Sequence, residues 1–288
     1  MELDLEKKIQ TGEFPSIIYK FRLWDDEPND HIIRKRTIRL ASPSEMLADY
    51  PEASLPVDEA LITEENLQKF ALHTAQLQYP HEHRSFQEKE AQRLRSIMRI
   101  EDPEHRREAE YRASQRNDEV LGIFCSSIDF EDVYLWQTFA GLGTGFVVGL
   151  YTRKIVLHPL ISGSAGLVEY YPTGNPPKLS PFSYNDQERT AKSLTEIFNI
   201  PDKYVKEKEF RIARTNRKRD NHGRIAKYAE RDRIIQLGQD CYREILLGYD
   251  ISNSDKSGVI DSRDRNLPGV PIYLTEIIND KVIKKQVL

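Results

Sequence analysis

The sequence predicts an α+β fold: a mainly antiparallel sheet core with flanking helices and a charged helical insertion. Three observations carry that expectation. Apolar residues alternate with polar ones, at a period of two, in short runs before about residue 42 and after residue 120. Between these regions, over about 56–118, apolar residues fall at helical spacing and then thin out into a stretch of mixed charge. No internal repeat orders the chain, and its 288 residues allow one large domain or two small ones, read here as a single α+β domain over 1–288.

The elements follow in order. Alternation over 17–23 puts Ile17, Tyr19, Phe21 and Leu23 on one strand face, with Lys20 and Arg22 on the other. Turn-rich residues 24–29 lead to a second strand at 37–42, ended by Ser42-Pro43 because proline cannot donate to a ladder. Leu61, Leu67, Phe70, Ala71 and Leu77 predict an amphipathic helix. The stretch 81–119 has few apolar anchors (Leu94, Ile97, Met98, Ile100), which suits a solvated helical arm or hairpin. Strand character returns at 120–127. A short helix with Trp136 and Phe139 follows, then Gly141, Gly143 and Gly145 before an apolar strand at 145–151. Val156-Leu157 and 167–171 are further strand candidates, and 171–181 is a proline-rich loop. Ala191, Leu194, Ile197 and Phe198 have helical spacing, stopped before Pro201. A strand over 204–213 would carry Phe210 and Ile212 on its apolar face, and Glu207, Glu209 and Arg211 on its polar face. Residues 214–223 read as a basic loop, 233–248 as ambiguous with a strand at 244–248, and 272–283 as a hairpin turning at Asn279-Asp280.

Composition narrows the classes. With 42 Lys+Arg against 46 Asp+Glu, the net charge of −4 excludes whole-surface attraction to nucleic acid, but not a local basic patch. A hydrophobic share of 39% excludes wholesale disorder. No run approaches the ~18 apolar residues of a membrane span, and the first ten residues have no signal-peptide core. Cys125 and Cys241 form neither a disulfide framework nor a paired metal motif. A cytoplasmic protein without a membrane partner is expected.

Three blocks, taken in order, resemble a known family. They are Tyr19-Lys20-Phe21-Arg22 with Leu40-Ala41-Ser42-Pro43; Phe124-Cys125-Ser126 followed by Trp136 and Gly145-Phe146; and Tyr204 followed by Glu207-Lys208-Glu209-Phe210-Arg211. Their order and spacing are similar to the bacterial domain-of-unknown-function family numbered 2971. Val168-Glu169-Tyr170 and Glu244-Ile245-Leu246-Leu247-Gly248 fit its later part, and the resemblance spans most of the chain outside about 52–118. The chain departs from the family at Met46-Leu47-Ala48-Asp49, where the family usually has Phe-Asn-Asp. It departs again at Trp136-Gln137-Thr138-Phe139, where the family often has Trp-Ser-His-Tyr. The resemblance implies a bacterial effector or toxin-like protein, as in phage defence, and leaves the chemistry to the residues.

Glu207 and Glu209, two apart on a strand, point the same way; like charges that close split their pKa values when partly buried. The plainer reading is a solvated strand face on which Arg211 neutralises them. The order of a basic residue, a serine and Glu-x-Glu on successive strands is similar to the arginine–serine–glutamate class of ADP-ribosyltransferases. That likeness implies NAD as substrate. Arg22 or Lys20 would hold its phosphate or ribose, and Ser126 or Ser127 would position the nicotinamide ribose. Glu209 would support an oxocarbenium-like transition state, with Glu207 activating the acceptor.

A rival expectation is a non-catalytic nucleic-acid- or protein-binding module, or an assembly subunit joined through the helical insertion. Residues 211–233 hold nine Lys/Arg against three acids, a local +6, with Arg214, Arg217, Lys218 and Arg219 as candidate phosphate contacts. No aromatic interleaving marks a base-stacking surface, which favours a solvated loop. His81-Glu82-His83 reads as solvated and no metal is expected. Cys125 reads as a buried strand thiol, and Trp136 and Phe139 as core.

Overall fold

The computed structural model describes residues 2–24, 30–50, 54–216, 218–219 and 225–287. Its strands are β1 (Ile17–Arg22), β2 (Thr37–Arg39), β3 (Leu121–Ser127), β4 (Phe146–Tyr151), β5 (Ser164–Leu167) and β6 (Glu169–Tyr171). They continue with β7 (Asn199–Pro201), β8 (Glu209–Thr215), β9 (Ile234–Gln236), β10 (Tyr242–Leu247), β11 (Ile272–Ile278) and β12 (Lys281–Val287). The helices are α1 (Glu2–Gln10), α2 (His31–Arg34), α3 (Pro43–Asp49), α4 (Glu64–Gln78), α5 (Arg84–Met98) and α6 (Pro103–Val120). After these come α7 (Val133–Phe139), α8 (Thr152–Val156), α9 (Asp186–Phe198), α10 (Glu230–Arg233) and α11 (Asn253–Asn266). The α+β class expected from the sequence is what the chain adopts.

Two compact units result. Met1–Ser42, Val120–Tyr170 and Asp202–Leu288 make one, and Pro43–Glu119 with Tyr171–Pro201 make the other. The expected insertion over about 56–118 is therefore only part of the second unit, which starts at the Ser42-Pro43 break and also takes in 171–201.

In the first unit, eight strands pair in the order β12-β11-β10-β4-β1-β3-β8-β5. Every pairing in this sheet is antiparallel except β10 with β11. The exception follows from connectivity: α11 lies between those strands in the chain, and a parallel pair needs such a crossover. At the β11–β12 hairpin, Asn279 (φ 51) and Asp280 (φ 58) take the left-handed conformation that Asn and Asp tolerate in tight turns.

One face of the sheet carries Ile18, Phe124, Phe146, Val148, Leu150, Phe210, Ile212, Ile245 and Leu247 into the larger core. The opposite face carries Tyr19, Phe21, Val147 and Leu246 beneath Leu135 and Trp136 of α7. Trp136 is fully buried and meets Phe21 edge-on, with ring centroids 5.5 Å apart. Central strands buried on both sides explain why 145–151 reads as a continuous apolar run.

Several local expectations are corrected. Val156 ends α8, because a short apolar run fits a buried helix turn as well as a strand. Residues 202–207 form a 3-10 turn, so β8 begins only at Glu209. Phe139 is exposed, unlike Trp136.

In the second unit, Ala71 and Ala75 of α4 pack against Ala91 and Leu94 of α5; Leu67 is buried, while Leu61 and Leu77 are exposed. Small side chains at that seam give little apolar area, and ion pairs accompany it. Arg95 reaches Glu64 at 2.7 Å and Glu101 at 3.0 Å, and Arg106 reaches Glu59 at 2.6 Å. His83 has a structural role as the N-cap of α5, accepting from the Ser85 amide. No helix among the described residues is long and apolar enough to cross a membrane.

Candidate functional site

Strand register, more than local sequence, assembles a row of buried polar side chains in the first unit. Tyr19 on β1 stands opposite Ser127 on β3 and Gly149 on β4. Ser127 stands opposite Glu209 on β8, and Gly149 opposite Glu244 on β10. Directly paired residues share a sheet face, so Glu244, Gly149, Tyr19, Ser127 and Glu209 form one row across five strands. The four side chains are all buried, between 1% and 7% exposed. The row lies on the α7 side of the sheet, not in the larger core.

The same alternation separates residues that the sequence reading brought together. Lys20, Arg22 and Ser126 belong to the opposite face from Glu209 and Ser127. Lys20 Nζ donates to the Cys125 carbonyl at 2.6 Å and lies over the Phe124 ring. Ser126 Oγ donates to the Phe210 carbonyl at 3.1 Å. Arg22 donates to the neighbouring Phe21 carbonyl. An arginine–serine–glutamate cleft built on Arg22 or Lys20 with Ser126 is therefore not formed. Of the two serines, Ser127 is the one that faces Glu209.

Glu207 is also placed differently from expectation. It closes the 3-10 turn, and Lys208, with φ 45, interrupts the alternation that would have aligned it with Glu209. The two carboxylates nevertheless act on one group. The Tyr170 hydroxyl accepts the Glu209 amide proton at 2.8 Å. Burial, then the charges of Glu209 and Glu207, push the Tyr170 phenol up to about 12.

At this end of the row Arg211, whose side chain is wholly buried, donates to Glu209 Oε2 at 2.5 Å. The neutralising role for Arg211 is thus realised for Glu209, inside the protein rather than on a solvated face. Cys125, half-buried, shares this face. Loss of water around its sulfur, then the Glu209 carboxylate, push its thiol up to about 12, so it stays protonated and unreactive.

At the other end, Lys284 Nζ donates to both oxygens of Glu244 at 2.7 Å, and the Tyr19 hydroxyl donates to Oε1 at 3.4 Å. Lys284 lies over the rings of Phe130 and Tyr273. Burial, then Glu244, push the Tyr19 phenol above its ordinary value, so it keeps its proton. Gly149 makes this meeting possible. A Cβ there would come within 2.9 Å of Glu244 Cγ and 3.3 Å of Tyr19 Cε1. Gly149→Ala is expected to push the pair apart and cost about 1–3 kcal/mol. The check is a urea midpoint lowered with the slope unchanged; an unchanged midpoint would mean that the pair has room to spare.

The basic stretch contributes less surface than its local charge suggests. Arg214 is buried, and after burial itself its charge helps depress His158 below its ordinary value. That corrects Arg214 as a phosphate contact. Arg233 is also buried, donating to the Leu121 carbonyl at 2.9 Å. Lys218 pairs with Asp232 at 2.7 Å, Arg219 is exposed in a backbone bridge with Ile225, and Arg217 lies outside the described residues.

Tyr19, Tyr170, Glu244 and Lys284 are the site residues that sequence reasoning missed. Tyr19 had a visible signal, since it shares its face with the next apolar positions yet carries a hydroxyl. Among the described residues no cluster of His, Cys, Asp and Glu is arranged to hold a metal ion. No family model, curated protein or solved structure matches the chain.

Proposed function

We propose that the Ser127–Glu209 end of the row is a reaction centre for the N-glycosidic bond of a nicotinamide dinucleotide, in an effector-type protein. One observation carries this reading: Glu209 is buried opposite Ser127 with its charge balanced by Arg211. A carboxylate fixed in a dry, preorganised setting suits the positive charge of an oxocarbenium-like transition state. Ser127 supplies a hydroxyl for the ribose. Tyr170, which keeps its proton, supplies a donor beside it. In the reaction the bond between the ribose C1′ and the nicotinamide nitrogen breaks, and its electrons leave with neutral nicotinamide. The ADP-ribosyl cation is captured by water or by an acceptor, whose proton passes to Glu207. Lys20, Arg22 and Ser126 have no part in this chemistry.

The test is nicotinamide release from NAD by the purified protein. Release well above the spontaneous rate is expected. Ser127→Ala should lower it by at least about a hundredfold, the low end of what one preorganised hydrogen-bond donor contributes, while Ser126→Ala should leave it nearly unchanged. No release by the wild type, or equal loss in both serine variants, would contradict the reading.

A further inference from the structure

The row is covered by a short piece of chain with fastenings at both ends. Segment 128–132 runs from the end of β3 to α7 and lays Phe130 against Tyr19, with ring centroids 5.1 Å apart. Lys284 Nζ also lies over the Phe130 ring, 4.9 Å from its centroid. At the β8 end, Lys208 Nζ donates to Asp129 Oδ2 at 2.6 Å and approaches Asp132 at 3.7 Å. The Ile128 amide donates to the Lys208 carbonyl at 2.9 Å. At the β12 end, Lys281 pairs with Glu131 at 3.0 Å, and the Val282 amide donates to the Glu131 carbonyl at 2.7 Å. Trp136 Nε1 donates to the Phe130 carbonyl at 2.6 Å.

The two ion pairs differ from the rest of this network. Lys208 is 42% exposed and Lys281 67% exposed, so both pairs meet solvent and are open to screening. What they cover is buried: Ser127, Glu209, Tyr19 and Glu244 offer almost no surface to a ligand. A reaction at the row therefore needs part of its cover to move.

We infer that segment 128–132 is a strap closed over the row, latched by Lys208–Asp129 and Lys281–Glu131, which lifts Phe130 off Tyr19 to admit substrate. The strap's purpose rests on the reaction centre proposed above; its mechanics do not. Lys208 suits the latch because its left-handed backbone (φ 45) ends the β8 alternation just before Glu209 and its ammonium reaches Asp129, which holds it above the ordinary range.

Hydrogen exchange of the amides in 128–132 tests the strap. In the wild type, exchange there should accelerate between about 0.05 M and about 0.5 M salt, more than in β1 or β4, because screening shortens from roughly 14 Å to roughly 4 Å. In the double variant Asp129→Asn with Glu131→Gln, exchange should be faster by about tenfold already at low salt. The salt series needs no variant, so a poorly folding variant does not remove the test. Exchange that ignores both salt and the double variant would overturn the latch. Faster exchange in a protein that never releases nicotinamide would keep the strap and overturn the reaction reading. Nicotinamide release unchanged by unlatching would overturn the strap's gating of the row.

Discussion

Arg211→Ala is expected to destabilise the protein by about 3–5 kcal/mol, a large part of the roughly 5–15 kcal/mol typical of a folded domain. The guanidinium is wholly buried and its Glu209 partner is 6% exposed, so removing the cation strands a carboxylate where water cannot reach it. The size of the effect comes from that stranded charge, not from any large net worth of the pair. Two charges taken out of water lose nearly as much as their attraction returns. The double variant Arg211→Met with Glu209→Leu should therefore recover much of the loss, although each side chain is absent. Urea unfolding of the wild type, the single variant and the double variant checks this. Equal stability of Arg211→Ala and the wild type would show that Glu209 is solvated in solution.

The sheet was largely readable from period-two alternation, because β1, β3, β4 and β10 fall where the apolar runs do. The hairpin turn at Asn279-Asp280 was readable for a similar reason, since few other residues tolerate two successive left-handed positions. Pairing was not readable. Alternation says that Lys20 and Arg22 share a face, but only the register Tyr19 to Ser127 to Glu209 says which face is that of the carboxylate. A shift of one residue would have exchanged Ser127 for Ser126. The Glu-x-Glu spacing misled through a single backbone angle: Lys208 at φ 45 ends the strand rule between its two members. In α4, helical spacing was legible but the buried stripe was not. Ala71 and Ala75 pack against Ala91 and Leu94, while the larger Leu77 stays exposed.

Glu244 escaped notice because nothing near it in sequence marks it. Its partners, Tyr19 and Lys284, lie 225 and 40 residues away. Gly149 was equally silent. A glycine in an apolar strand usually signals a close approach, here of two polar side chains rather than a backbone. The local +6 after β8 had the reverse fault, since it was easy to see and overstated. Arg211, Arg214 and Arg233 spend their charge inside the protein, which leaves a smaller basic surface than the count implies.

The second large effect concerns Glu209 itself. If its carboxylate faces the ribose in the transition state, Glu209→Gln removes the charge that catalysis needs. It keeps an acceptor for Arg211 but leaves that buried guanidinium without its counter-charge, so stability falls as well as turnover. Losing one preorganised electrostatic contact of this kind costs about 10²–10³ in turnover. Affinity for NAD should change little, because the contact strengthens only as positive charge develops. Thermal unfolding of the variant sets the temperature at which the two proteins are compared, so that both are folded. The decisive measurement is the rate of nicotinamide release at saturating NAD by Glu209→Gln beside the wild type. A fall of at least about a hundredfold with the fold intact is the predicted result. Release at the wild-type rate would contradict the assignment of this row as the reaction centre.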